Sequence, residues 1–116
     1  MNNAAKQQFT DLVKKANATT GLYFHCSSNE LMARRNLWGR SGFNSGLIAE
    51  LIPVEKIKSI SNLEMRVTLK NDSIIQLITA DKGVDQVRGT KPVAIIFSEI
   101  VPRNGPIHEY ITQMSN

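Results

Sequence analysis

Two neighbouring residues of this 116-residue chain are placed for chemistry: Ser98 and Glu99, which close the run Val93-Ala94-Ile95-Ile96-Phe97. A run that is apolar at every position reads as a central strand buried on both faces, of the kind found in parallel sheets. An acid at the carboxyl end of such a strand lies where open α/β sheets bind their ligands. Glu99 could there act on a bound ligand, or, with none held, persist as a partly buried acid paired with a base such as Arg88. The second reading is adopted, because no Gly-Lys pair occurs anywhere in the sequence. A phosphate-binding loop needs that lysine and the following hydroxyl at the opening of a helix. The glycine-rich stretch Gly39-Arg40-Ser41-Gly42-Phe43-Asn44-Ser45-Gly46 is therefore read as a mobile connector, not a phosphate cradle.

The second candidate set is basic. Arg34, Arg35, Arg40 and Arg88, with Trp38 among them, form either a solvated face or a contact with nucleic acid or an acidic protein partner. Trp38 is core unless partly exposed, in which case it suits an interface anchor. A net charge of +4 and a pI near 9.5 favour acidic partners. The basic residues are nonetheless spread, with no run longer than the pairs Lys14-Lys15 and Arg34-Arg35. Metal and disulfide chemistry is not expected: Cys26 is the single cysteine, and with His25 and His108 it falls short of any zinc spacing. Cys26 lies in the apolar run Leu22-Tyr23-Phe24-His25-Cys26 and reads as a buried, inert thiol.

Positioning these groups falls to elements that the hydrophobic pattern marks out. With 41% apolar and 21% charged residues, the chain has the composition of one soluble globular domain spanning 1–116. No apolar run spans a bilayer and the start is too polar for a signal peptide, so a cytoplasmic protein is expected. Ala5, Phe9, Leu12, Val13 and Ala16 recur at helical spacing over residues 4–18. Leu22 to Cys26 reads as a buried strand. Ser27 with Glu30 makes a capping box for a helix over 29–38 that stops at Gly39. Pro53 suits the first position of a short helix over 54–60. Met65 to Lys70 and Ser73 to Ile78 flank a two-residue turn, Asn71-Asp72, which predicts a hairpin with Leu69 opposite Ile74 and Met65 opposite Ile78. Residues 81–89 read as a polar loop, and Pro106 opens a last helix with Ile107, Tyr110, Ile111 and Met114 on one face.

The stretch from Val87 to Glu99, with its Arg88-Gly89 turn, apolar strand and Ser98-Glu99 pair, resembles the Walker B region of phage terminase large subunits. Leu69-Lys70-Asn71-Asp72-Ser73-Ile74-Ile75-Gln76-Leu77 is similar to the hairpin of that family, whose turn is commonly Asn-Gly-Ser; here Asp72 stands in place of the glycine. Tyr23-Phe24-His25 and Ala33-Arg34-Arg35-Asn36-Leu37-Trp38 are similar to the family's second strand and following helix, Ile52-Pro53 to the start of its next segment, and the first helix to the one after the Walker A loop. The resemblance thus covers nearly the whole chain in ordered segments.

It implies an α/β fold: a reduced, P-loop-ATPase-like sheet of about four strands, including one hairpin, flanked by helices. It also implies that the Walker A loop and the nuclease domain fall outside these residues, leaving Glu99, with Ser98 where a magnesium-directing aspartate often stands, as a vestigial Walker B acid. No catalytic residue, metal or cofactor is then expected. The favoured function is a non-catalytic, phage-derived interaction or inhibitor protein whose partner is a host defence complex, as with anti-CRISPR proteins, or a DNA-packaging motor. The alternative is a fragment of a terminase large subunit that acts only with the missing motor and nuclease parts; an enzyme in its own right is the third reading. A truncated sheet exposes an edge, through which homodimerisation or capture of a partner is expected.

Overall fold

Phe9, Leu12, Val13 and Ala16 form the buried stripe of helix α1 (Asn3–Ala18) in the computed structural model, which describes residues 3–97. The chain then enters strand β1 (Leu22–Ser27), the hub of the sheet. It pairs in parallel with β4 (Ile74–Thr79) on one side and β5 (Ala94–Phe97) on the other. Strand β3 (Arg66–Leu69) lies antiparallel beside β4, and β2 (Ile57–Ser61) antiparallel beside β3, giving the order β2-β3-β4-β1-β5. The described residues form an α/β domain with a five-stranded mixed sheet flanked by helices, one strand more than the sequence suggests.

The two faces are covered by different connections. From β1 to β2 the chain forms α2 (Glu30–Ala33), a π turn (Arg34–Trp38), a 3-10 turn (Phe43–Ser45) and α3 (Leu47–Leu51). These pack Ala33, Leu37, Trp38, Phe43 and Ile48 into the same core as α1. The return from β4 to β5 runs through a 3-10 segment (Ala80–Gln86), and Val87 joins Phe24, Cys26, Ile78 and Phe97 in a second core on the other face. The two crossovers travel in opposite directions across the sheet, so a common hand requires opposite faces. Among the described residues no helix is long and apolar enough to cross a membrane.

Four expectations are corrected. The helix expected over 54–60 is a 3-10 turn (Val54–Lys56) followed by β2. The hairpin is shifted by one residue: Leu69 N donates to Ser73 O and Asp72 N to Leu69 O, so the loop holds three residues, with Asp72 at φ 72. Asp tolerates this left-handed conformation better than most residues, at the site where glycine would be free of strain. A one-residue slip exchanges faces, so Val67 lies opposite Ile75, and Ile75 and Leu77 enter the helical-face core in place of Ile74 and Ile78. Helix α2 is capped by Asn29, whose Oδ1 accepts from Met32 N at 2.9 Å, while Ser27 remains buried in β1. Finally, β5 pairs only with β1 among the described strands and its Ala94, Ile95 and Ile96 are half-buried, so it is an edge of the described sheet, not a centre. The helix expected after Pro106 lies outside the described residues.

Candidate functional site

Parallel strands β1, β4 and β5 end together, with Ser27 opposite Thr79 and Cys26 opposite Phe97. After β1 the chain turns to the helical face and after β4 to the other face, so the gap between these two strand ends is the switch point at which open α/β sheets bind ligands. Here the chain itself bridges that gap. Asp81 N donates to Ser28 O at 3.2 Å, and Lys82 Nζ pairs with Glu30 Oε1 at 3.2 Å across it. The Gln86 amide clamps the end of β4, its Oε1 accepting from Thr79 N and its Nε2 donating to Thr79 O. Arg34 Nε lies 3.5 Å from the other Glu30 oxygen. The Lys82 hydrogen bond and charge, then Arg34, hold the Glu30 carboxyl below its usual range. Thr79 Oγ1 is buried without a partner.

The titratable groups of β1 are unsuited to polar chemistry. Burial, and after it the charge of Asp81, pushes the Cys26 thiol up to about 12, so it is not a thiolate at neutral pH. Burial lowers His25 to about 4. Among the described residues no group of three or more His, Cys, Asp or Glu side chains could hold a metal. Ser98, Glu99 and His108 lie outside the described residues; Ser98 and Glu99 follow Phe97, the last residue of β5, in the sequence.

The basic candidates do not form one surface. Arg34 is half-buried and committed, its guanidinium donating to Asn62 O at 3.0 Å as well as facing Glu30. Arg35 and Arg40 are exposed. Arg88 follows Val87 in the segment covering the opposite face and pairs with Asp85 at 3.4 Å. Trp38 is fully buried, edge-on to Phe43 with ring centroids 5.1 Å apart, so it is a core residue and not a surface anchor. Its indole is apolar enough to fill the space under the 3-10 turn once its one N–H is satisfied.

That partner is Asn62, which sequence reasoning missed. Its Oδ1 accepts from Trp38 Nε1 at 3.0 Å and from Phe43 N at 3.3 Å, tying the β2–β3 turn to the glycine-rich stretch. No sequence signal marks it, because an asparagine in a turn is ordinary and both donors are distant in the chain. Between these parts lies an open groove of about 470 Å³ lined by Ser41, Gly42, Phe43, Asn44, Ser45, Ile60 and Asn62. Asn62→Ala leaves a buried indole N–H and a backbone N–H without acceptors, and is expected to cost about 2 kcal/mol in chemical denaturation. Asn62→Asp, which keeps the acceptor, should recover most of that loss; equal losses in both variants would mean that the bond is not what holds the turn.

No protein-family model, curated protein or solved structure matches the chain.

Proposed function

We propose that this chain is a terminase-ATPase-like module that acts by binding another protein and does not hydrolyse ATP by itself. The observation that carries the reading is the occupied switch point: the gap between the ends of β1 and β4 is bridged by Ser28, Glu30, Asp81 and Lys82 of the chain itself, while Gln86 clamps the end of β4. Phosphoryl transfer depends on a held, positioned phosphate chain, and no Gly-Lys pair is present to hold one. The resemblance is supported by where its segments fall. Tyr23-Phe24-His25 lies in β1, Ala33 to Trp38 on the helical turns after it, Leu69 to Leu77 on the β3–β4 hairpin, and Ala94 to Phe97 in β5. We read the sheet as a reduced P-loop-ATPase-like sheet on that basis. The partner is then a host defence complex, engaged in the manner of an anti-CRISPR protein, or a phage packaging motor.

A second reading rests on β5. Its carboxyl end falls on the same side of the sheet as those of β1 and β4, Ser98 and Glu99 come next in sequence, and among the described residues its outer side carries no strand. A terminase large-subunit piece completed by further motor segments would have this form. Calorimetric titration of the folded protein with Mg-ATP tests the main reading. No binding heat is expected. Micromolar binding that Glu99→Ala weakens would overturn it and reopen an enzymatic role, while recovery of ATP binding only after adding a motor partner would favour the second reading.

A further inference from the structure

Among the described residues strand β2 is the other edge of the sheet, and its exposed side chains carry a pattern. Val54 is 80% exposed, Leu63 86% and Ile60 42%, three of the five large apolar residues left exposed among those described. All lie on or beside β2. The register between β2 and β3 shifts between Ile57 and Ser59, so that Ile57 lies opposite Leu69 and Ile60 opposite Val67. Leu69 and Val67 both belong to the helical-face core. Ile57 and Ile60 therefore share that face although they stand three apart, and Ile60 lines the groove beside Phe43 and Asn62.

We propose that the β2 edge pairs with a second copy of the chain, antiparallel, about a two-fold axis between Lys58 and Ser59. The inference is independent of the functional reading above. Counting along the outer edge, this axis sets Ile57 opposite Ile60 of the partner subunit, Lys58 opposite Ser59 of the partner subunit and Lys56 opposite Ser61 of the partner subunit. Just beyond the strand it brings Val54 toward Leu63 of the partner subunit. Cross-strand neighbours share a face, so each isoleucine pair stacks on the helical side at the mouth of the groove. Every exposed apolar residue of the edge gains an apolar partner, and no like charges oppose one another. Neighbouring registers fail. An axis through Ser59 sets Lys58 against Ile60 of the partner subunit, and an axis through Lys58 opposes two lysines. Lys58 is already neutralised by Asp72 at 2.7 Å. Self-complementarity of this kind is what a two-fold interface requires. The edge is short, so the dimer is weak, with a dissociation constant on the order of tens of micromolar.

Sedimentation of the whole protein across the micromolar range is expected to show a monomer–dimer equilibrium. Leu63→Lys, at a solvent-exposed turn position that folding does not depend on, and Ile60→Lys should each raise the dissociation constant at least about tenfold. Leu31→Lys, exposed on α2, should not. The axis makes a sharper demand: Ile57→Cys and Ile60→Cys proteins should form a disulfide-linked dimer when mixed but not separately, because only the mixed pair is directly opposed. A monomer at every concentration, a dimer indifferent to Leu63→Lys, or a cysteine variant that cross-links alone would overturn the proposal. So would a monomer in which the β2 amides not bonded to β3 already resist hydrogen exchange, since another segment of the same chain would then cover the edge.

Discussion

Gly46→Ser is expected to destabilise the domain by about 3 kcal/mol, a fall in melting temperature of roughly 12 °C. Local rules point the other way. Gly46 is the residue before α3, and its φ of −104° suits any residue. Serine is a better cap than glycine there, because its hydroxyl can accept from the first orphan amides of the helix. Packing reverses the sign. A Cβ at Gly46 would run into the carbonyl oxygens of Trp38 and Leu37, backbone atoms that cannot swing aside as a side-chain end can. Relief would have to come from moving α3 away from the π turn, which opens the core around Trp38, Phe43 and Ile48. Since the φ is ordinary, the loss would report the collision and not backbone strain. The check is thermal and urea denaturation of Gly46→Ser and Gly46→Ala beside the native protein. Unchanged midpoints would show that residues 39–46 give way freely, as a mobile connector does.

That stretch illustrates where the sequence is legible and where it is not. Its glycines are visible, but their use is not. Gly39, at φ 116, ends the helical turns as its position suggests, whereas Gly46 is required by an approach to Leu37 and Trp38 that only the folded chain creates. Helix α1 is legible from its helical period, strand β1 from its apolar run, and β3 and β4 from their runs of β-forming residues, though not their register. Strand β2 is not. Its bulge puts Ile57 and Ile60 on one face at a spacing of three, which is the signature of a helix, and Pro53 before it completes the imitation. The hairpin slip has a similar origin: Asp72 enters the left-handed region, adding a third loop residue that no count of β-forming residues reveals. At the candidate site, the arginines were visible as types but not as neighbours. Arg34 is spent on Glu30 and Asn62, and Arg88 belongs to the opposite face.

The buried histidine yields the second large effect. His25 sits on β1 facing α1, 5% exposed, its ring edge-on to Phe9 at 5.6 Å, with Nδ1 lacking any partner. Protonation would place a charge in this apolar layer, and burial accordingly lowers its pKa from 6.5 to about 4. The folded state therefore binds fewer protons than the unfolded state between these values. Stability owed to neutral His25 is complete above pH 6.5, falls as the pH drops through that window, and is fully lost below about 4. The total loss is about 3 kcal/mol. Glu30 also has a lowered pKa, but its carboxylate is 45% exposed and screened, so its acid-linked loss is small. His25→Leu fills similar space with no titrating group. Near pH 7 it should change stability little, and the difference between native and variant should then grow in the variant's favour on acidification until it levels off near pH 4. Urea denaturation at half-unit pH steps measures that difference directly. Two parallel curves would mean that the fold accommodates an imidazolium at this position, through a water or a shift of α1, and the dry packing of Phe9 on His25 would have to be abandoned.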